Sequence, residues 1–109
     1  MYWTPIQGDK LPPALAVVVF DHAVNAGPPK ATRLLQAALG ASVDGVMGRQ
    51  TLAAARLAGN EGVLRFCAER MAHYAGLAQR RPANRRFLRG WRIRAFRALR
   101  AAARHMEAS

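Results

Sequence analysis

The stretch from Ala14 to Asn25 constrains this chain most. It is apolar nearly all round, with Leu15, Val17, Val18, Val19, Phe20, Ala23 and Val24 distributed over every face. The β-branched residues are compatible with a strand. The length, the Pro12-Pro13 start and the Gly27-Pro28-Pro29 stop favour a helix. A helix without a polar face must be covered on every side. That demand for cover fits a chain that is one half of a larger fold. The chain itself is short: 109 residues, which suits one domain with one core.

The remaining pattern is helical too. Lys30 to Leu39 places Ala31, Leu34, Leu35, Ala38 and Leu39 on one face, and Gly40 is a natural C-terminal cap. Asp44 to Gly48 is a turn cluster. Thr51 to Ala58 continues as a helix closed by Gly59-Asn60, and Glu61 to Gln79 is a longer one broken by Pro82. Residues 84–106 form a basic C-terminal helix. Its apolar stripe is Leu88, Trp91, Ala95, Leu99, Ala102 and Met106, which makes Trp91 an expected core anchor. Residues 1–13, with three prolines, read as an extended lead-in. The expected class is all-α: about five helices in a single domain over 1–109.

Charge is placed unevenly. Residues 1–59 hold five basic and three acidic side chains, a net of +2; residues 60–109 hold twelve and three, a net of +9. Ten of the fifteen arginines fall between Arg80 and Arg104. Arg86, Arg89, Arg97, Arg100 and Arg104 share the helix face opposite the apolar stripe, with Ile93 and Phe96 beside them. Two readings fit: a solvated face, or a contact for a polyanion such as nucleic acid, anionic lipid or a wall polymer. The first is the commoner.

Catalytic chemistry is sparse. Six carboxylates are present, and Asp21 is the one expected to be buried, more as hydrogen-bonded structure than as an acid. Glu61, Glu69 and Glu107 read as surface residues. His22, His73, His105 and Cys67 match no zinc spacing, and neither Ser42 nor Ser109 has a nucleophile-elbow setting. The single cysteine excludes an internal disulfide. No cofactor and no metal are expected. No signal peptide or anchor is evident, so synthesis in the cytoplasm and delivery by release or non-classical export are expected.

The loop Asp44-Gly45-Val46-Met47-Gly48 … Thr51 is more informative. Asp44 can close an Asx-turn, Gly45 and Gly48 can take positive φ, and Thr51 can bond amides at the next helix start. Such a loop exposes backbone donors and a carboxylate to a sugar or peptide; it also serves simply as a rigid connector.

In order along the chain, Tyr2-Trp3 … Gly8-Asp9 … Phe20-Asp21 … Ala23-Val24-Asn25 … Gly27 resembles the junction and central helix of glycoside hydrolase family 108 muramidases. Leu35-Gln36 … Leu39-Gly40 … Asp44-Gly45 … Gly48 … Thr51, then Arg70 … Tyr74 … Phe87 … Gly90-Trp91 … Arg94, resembles their C-terminal peptidoglycan-binding region. The resemblance runs over roughly residues 2–96. It implies a phage endolysin or a secretion-associated muramidase with a lysozyme-like helical fold. The family's general-acid glutamate lies before the Tyr-Trp pair, so this chain is expected to lack it, and Glu61-Gly62 is no equivalent. Arg49 departs from the proline often found there.

The resemblance therefore implies a peptidoglycan-binding module that is not catalytic by itself. Trp3, Asp44, Gly45, Gly48 and Thr51 are candidate ligand contacts, with Asp21 and Asn25 second. Two alternatives stand beside it. The chain is half of a muramidase that works only with its N-terminal half, or it is a basic nucleic-acid-binding protein. The second lacks any recognisable DNA- or RNA-binding motif.

Overall fold

The computed structural model describes residues 3–106. Tyr2 of the Tyr-Trp pair, and the terminal Glu107 and Ser109, lie outside them. Five α-helices follow one another: α1 (Pro13–Ala26), α2 (Pro28–Leu39), α3 (Arg49–Ala58), α4 (Asn60–Arg80) and α5 (Arg85–Ala103). Among the described residues there is no strand, so the chain is all-α. No described helix is long and apolar enough to cross a membrane.

The helix α1 is the pillar. It packs against α2, α4 and α5, and Leu15, Val18, Val19 and Ala23 are fully buried. Against them come Ala31 and Leu35 from α2, Val63 and Phe66 from α4, and Ala98 and Ala102 from α5, while Leu52 and Ala55 of α3 join the same core beside α2 and α4. Small side chains on α5 let its backbone approach α1 closely, so the most basic helix also lines the core. The cover expected for α1 thus comes largely from within this chain. Only Val24 on it is an exposed large apolar residue, at 39%.

The boundaries of α1 to α4 sit slightly outside the pattern-based ones, whereas α5, expected over 84–106, is shorter and ends at Ala103. Pro28 and Pro29 lie inside the first turn of α2 rather than before it. Proline costs nothing there, because first-turn amides have no intrahelical acceptor. Gly27, at φ 97°, turns the chain between α1 and α2. Gly40 closes α2 in the left-handed conformation, φ 70°, and the Ala41 amide returns to the Gln36 carbonyl at 2.9 Å.

The lead-in is not extended. Residues 3–7 are turns, and Gly8–Lys10 form one 3₁₀ turn. Ile6 and Leu11 supply the reason, since both are buried in the core, which a straight segment would not allow. Gly8 is pressed against the Trp3 indole, where a Cβ would stand 2.4 Å from the ring.

Trp91 also departs from expectation. It lies outside the buried core, half-buried and stacked between Tyr74 (5.2 Å between centroids, 26°) and Phe87 (5.8 Å, 28°). Leu15 is the test of α1. Leu15→Ala should destabilise the fold by about 2–5 kcal/mol, the usual cost of a buried leucine. A urea-denaturation midpoint unchanged from the parent would remove α1 from the centre of the core.

Candidate functional site

The seven candidate ligand contacts fall into three sets. Asp44, Gly45, Gly48 and Thr51 form the first, and a residue not chosen as a contact holds it together. Gln36, on the buried face of α2, accepts at Oε1 from the amides of Asp44 and Gly45, each at 3.0 Å. Its two Nε2 hydrogens are shared among Asp44 Oδ1 (2.8 Å), the Val46 carbonyl (3.0 Å) and Thr51 Oγ1 (3.1 Å). Every hydrogen-bonding group of one side-chain amide is spent on shaping this loop.

Asp44 closes the expected Asx-turn, accepting from the Val46 amide at 2.9 Å. That amide, then the Gln36 side chain, holds the Asp44 carboxyl below its ordinary pKa. Gly45 has the expected positive φ of 80°. Gly48 does not: at φ −97° it is extended and is the N-cap of α3. Thr51 is buried and accepts from Gln36, so it caps no amide of the helix start. The loop also leans on the lead-in, where the Gln7 side chain donates to the Met47 carbonyl.

What the loop offers outward is a cavity of about 210 Å³ lined by Ser42, Asp44, Gly48, Arg49 and Gln50 among others. Val43 and Val46 flank it, 56% and 64% exposed. Asp44 Oδ2 has no partner among the described residues. An anionic acceptor, polar donors and two exposed apolar side chains suit a ligand with hydroxyl, amide and alkyl groups.

Trp3 stands apart as the second set. It meets Phe20 edge-on at 5.5 Å, and its indole donates to Asp9 Oδ1 at 3.0 Å.

Asp21 and Asn25 belong to the third set, a polar seam between α1, α4 and α5. Arg70 is 1% exposed, and its Nη2 donates to Asp21 Oδ2 at 2.7 Å. Arg94 reaches the same oxygen at 3.4 Å. Arg70 Nε donates to the Tyr74 hydroxyl at 2.9 Å, and Asn25 Nδ2 donates there too, at 2.8 Å. Among the described residues Arg70 Nη1 is buried with no partner. Asp21, expected to be buried, is only partly so, with its side chain 28% exposed; it is hydrogen-bonded structure and neutralises a buried charge. Arg70 was visible in the spacing: Val63, Phe66, Arg70, Tyr74 and Ala78 form the buried stripe of α4, with an arginine where an apolar residue would be expected.

His22 completes the seam. It is 1% exposed, with Nδ1 3.5 Å from the Tyr74 hydroxyl. Burial, then the Arg70 charge and His73, push its pKa down to about 4. Burial likewise lowers His73.

The five arginines Arg86, Arg89, Arg97, Arg100 and Arg104 are exposed, and Ile93 and Phe96 are exposed near them, at 40% and 56%. Arg97 also edges a groove of about 720 Å³ between α1 and α5, with Val17, Phe20, Asp21 and Ile93 along it.

Two expectations follow. Asp21→Ala leaves Arg70 buried and unpaired, and should cost about 3–5 kcal/mol in chemical denaturation, while Asp9→Ala should cost far less. His22 stays neutral when folded but binds a proton near its ordinary pKa of 6.5 when unfolded. Its contribution is therefore complete above pH 6.5 and is lost as pH falls towards about 4, up to about 3 kcal/mol in all. His22→Phe should flatten the stability slope across that window.

Comparison with known proteins follows the same layout. Residues 30–96 match the family described as Predicted Peptidoglycan domain, and residues 1–27 match Glycosyl hydrolase 108. The solved structure of Brucella abortus SagA is similar, with 32% identity and a TM-score of 0.85 over 99% of this chain and 60% of that one. This chain therefore spans less than two thirds of SagA. No curated protein matches the sequence.

Proposed function

We propose that this chain, which belongs to the Predicted Peptidoglycan domain family, is the peptidoglycan-binding module of a muramidase-type protein acting at the cell wall, and that the Gln36-braced loop is where it holds murein. One observation carries this reading: the family match spans residues 30–96, and within it the Asp44 loop is both rigidly tied from inside and open outside. Asp44 supplies the acceptor, and Val43 and Val46 supply apolar contact. Gly45 and Gly48 shape the loop, while Thr51 acts from beneath by holding Gln36. Trp3, Asp21 and Asn25 support the fold around it. Nothing in the comparisons favours nucleic acid as the ligand.

Co-sedimentation with murein sacculi across a salt series, with DNA as competitor, tests the reading. Binding should persist at high salt and resist DNA. Asp44→Ala should weaken it by about tenfold in a folded protein, the effect of losing one charge-assisted hydrogen bond. Binding that disappears with salt or DNA would leave only the arginine face as its cause. Unchanged binding by Asp44→Ala and Gln36→Ala would move the site elsewhere.

The match of residues 1–27 to Glycosyl hydrolase 108 supports a second reading. Here a separate glutamate-bearing N-terminal half closes over the α1–α5 groove, and the pair hydrolyses the glycan. Delivery to the wall by release or non-classical export belongs to either reading. Lytic activity on mixing the halves supports the second; its absence from every mixture overturns it.

A further inference from the structure

A second cavity lies on the other side of the polar seam, between α1, α2 and α4. Its volume is about 280 Å³, and His22, Lys30, Arg33, Leu34, Ala37 and His73 line it. The size suits one amino-acid-sized group rather than a glycan strand. The lining contains two cations, two imidazoles and no carboxylate.

The seam fixes what the buried member presents. The Tyr74 hydroxyl accepts from Arg70 Nε and from Asn25 Nδ2, so its two lone pairs are taken. Its hydrogen then faces His22 Nδ1, 3.5 Å away. An imidazole that accepts at Nδ1 carries its proton on Nε2. Among the described residues that Nε2–H has no acceptor, and the ring lines the cavity. An N–H on the cavity wall can donate to an acceptor that a ligand places there. Lys30 and Arg33, both exposed, stand at the same cavity and make that acceptor an anion.

Arg33 also places the cavity next to the loop. Its Nε lies 3.0 Å from where a Cβ on Gly45 would stand. A single ligand can therefore occupy the loop and send an anionic arm past Arg33. In murein the anionic arms are the stem peptides, which carry free carboxylates. Resting on the peptidoglycan-binding reading above, we propose that the α1–α2–α4 cavity receives a stem-peptide carboxylate, with His22 Nε2–H as a donor from its wall and Lys30 and Arg33 as its counter-charges.

The test uses the full chain and two kinds of probe. The first is a synthetic stem peptide with free carboxylates, compared with its carboxamide form by calorimetry and by the imidazole NMR signals. The free peptide should bind at least about tenfold more tightly and shift the His22 and His73 ring signals. The double variant Lys30→Ala/Arg33→Ala, at exposed positions, should lose that preference while keeping its melting temperature. His22→Gln should lose it as well, and Lys30→Arg should keep it. Equal binding of both peptides, or a preference that survives in the double variant, overturns the proposal.

The second probe is murein sacculi, intact or stripped of stem peptides by an amidase. Weaker binding to stripped sacculi supports the proposal. Equal binding to both overturns it while leaving the peptidoglycan reading intact. Binding to neither sacculus overturns that reading; the free-peptide preference then decides the cavity alone. Displacement of the peptide by inorganic phosphate or DNA at equal strength would make the cavity a general anion site and overturn the carboxylate assignment.

Discussion

The buried guanidinium of Arg70 is the interaction on which the arrangement of this fold depends. Hydrophobic packing around α1 is strong but almost non-directional, and α4 could slide along α1 at little cost. A charge that is 1% exposed cannot slide, because it must keep its carboxylate and its hydroxyl. Asp21 fixes the register of α4 on α1, and Arg94 brings α5 to the same oxygen. Tyr74 is oriented as a consequence, and through it Asn25 and His22. The ring stacking of Tyr74 on Trp91 then extends this order to the outer face of α5.

The loop that follows α2 is organised by the same logic on a smaller scale. A buried side-chain amide needs partners, and Gln36 finds them in the backbone of a loop eight to ten residues ahead and in the Thr51 hydroxyl. The polar group at the centre faces inward and shapes the loop. The groups left outside, chiefly Asp44 Oδ2 and the two valines, are the ones a ligand can meet.

Sequence reading recovered what is local. The five helices, the left-handed Gly40 cap, the Asx-turn at Asp44 and the positive φ of Gly45 each depend on a few neighbouring residues. It missed what is distant. Arg70 and Asp21 are 49 residues apart, and no local pattern announces their pairing. Gln36 lies inside the same motif, yet its partners come from the loop and the next helix, and nothing in its immediate neighbours marks it as the residue that organises them. Gly48 and Thr51 were given roles that suit their types in isolation; the actual geometry of the α3 start and the reach of Gln36 gave them others. Trp3 came from the resemblance alone; that its indole is fastened to Asp9 and meets Phe20 was not legible, because no local pattern announces either contact.

The turn at Gly27 has a further consequence. The two family matches meet there, one ending at residue 27 and the other beginning at residue 30. A reader of family boundaries would cut the chain at that glycine. The cut would remove α1, and with it the pillar that α2, α4 and α5 enclose. The seam in evolutionary bookkeeping and the seam in the folded object therefore do not coincide. Recombination at Gly27 would transplant, with residues 1–27, a helix that belongs mechanically to its neighbour. Exchange is tolerable only upstream of the lead-in, or between parents whose central helices are interchangeable.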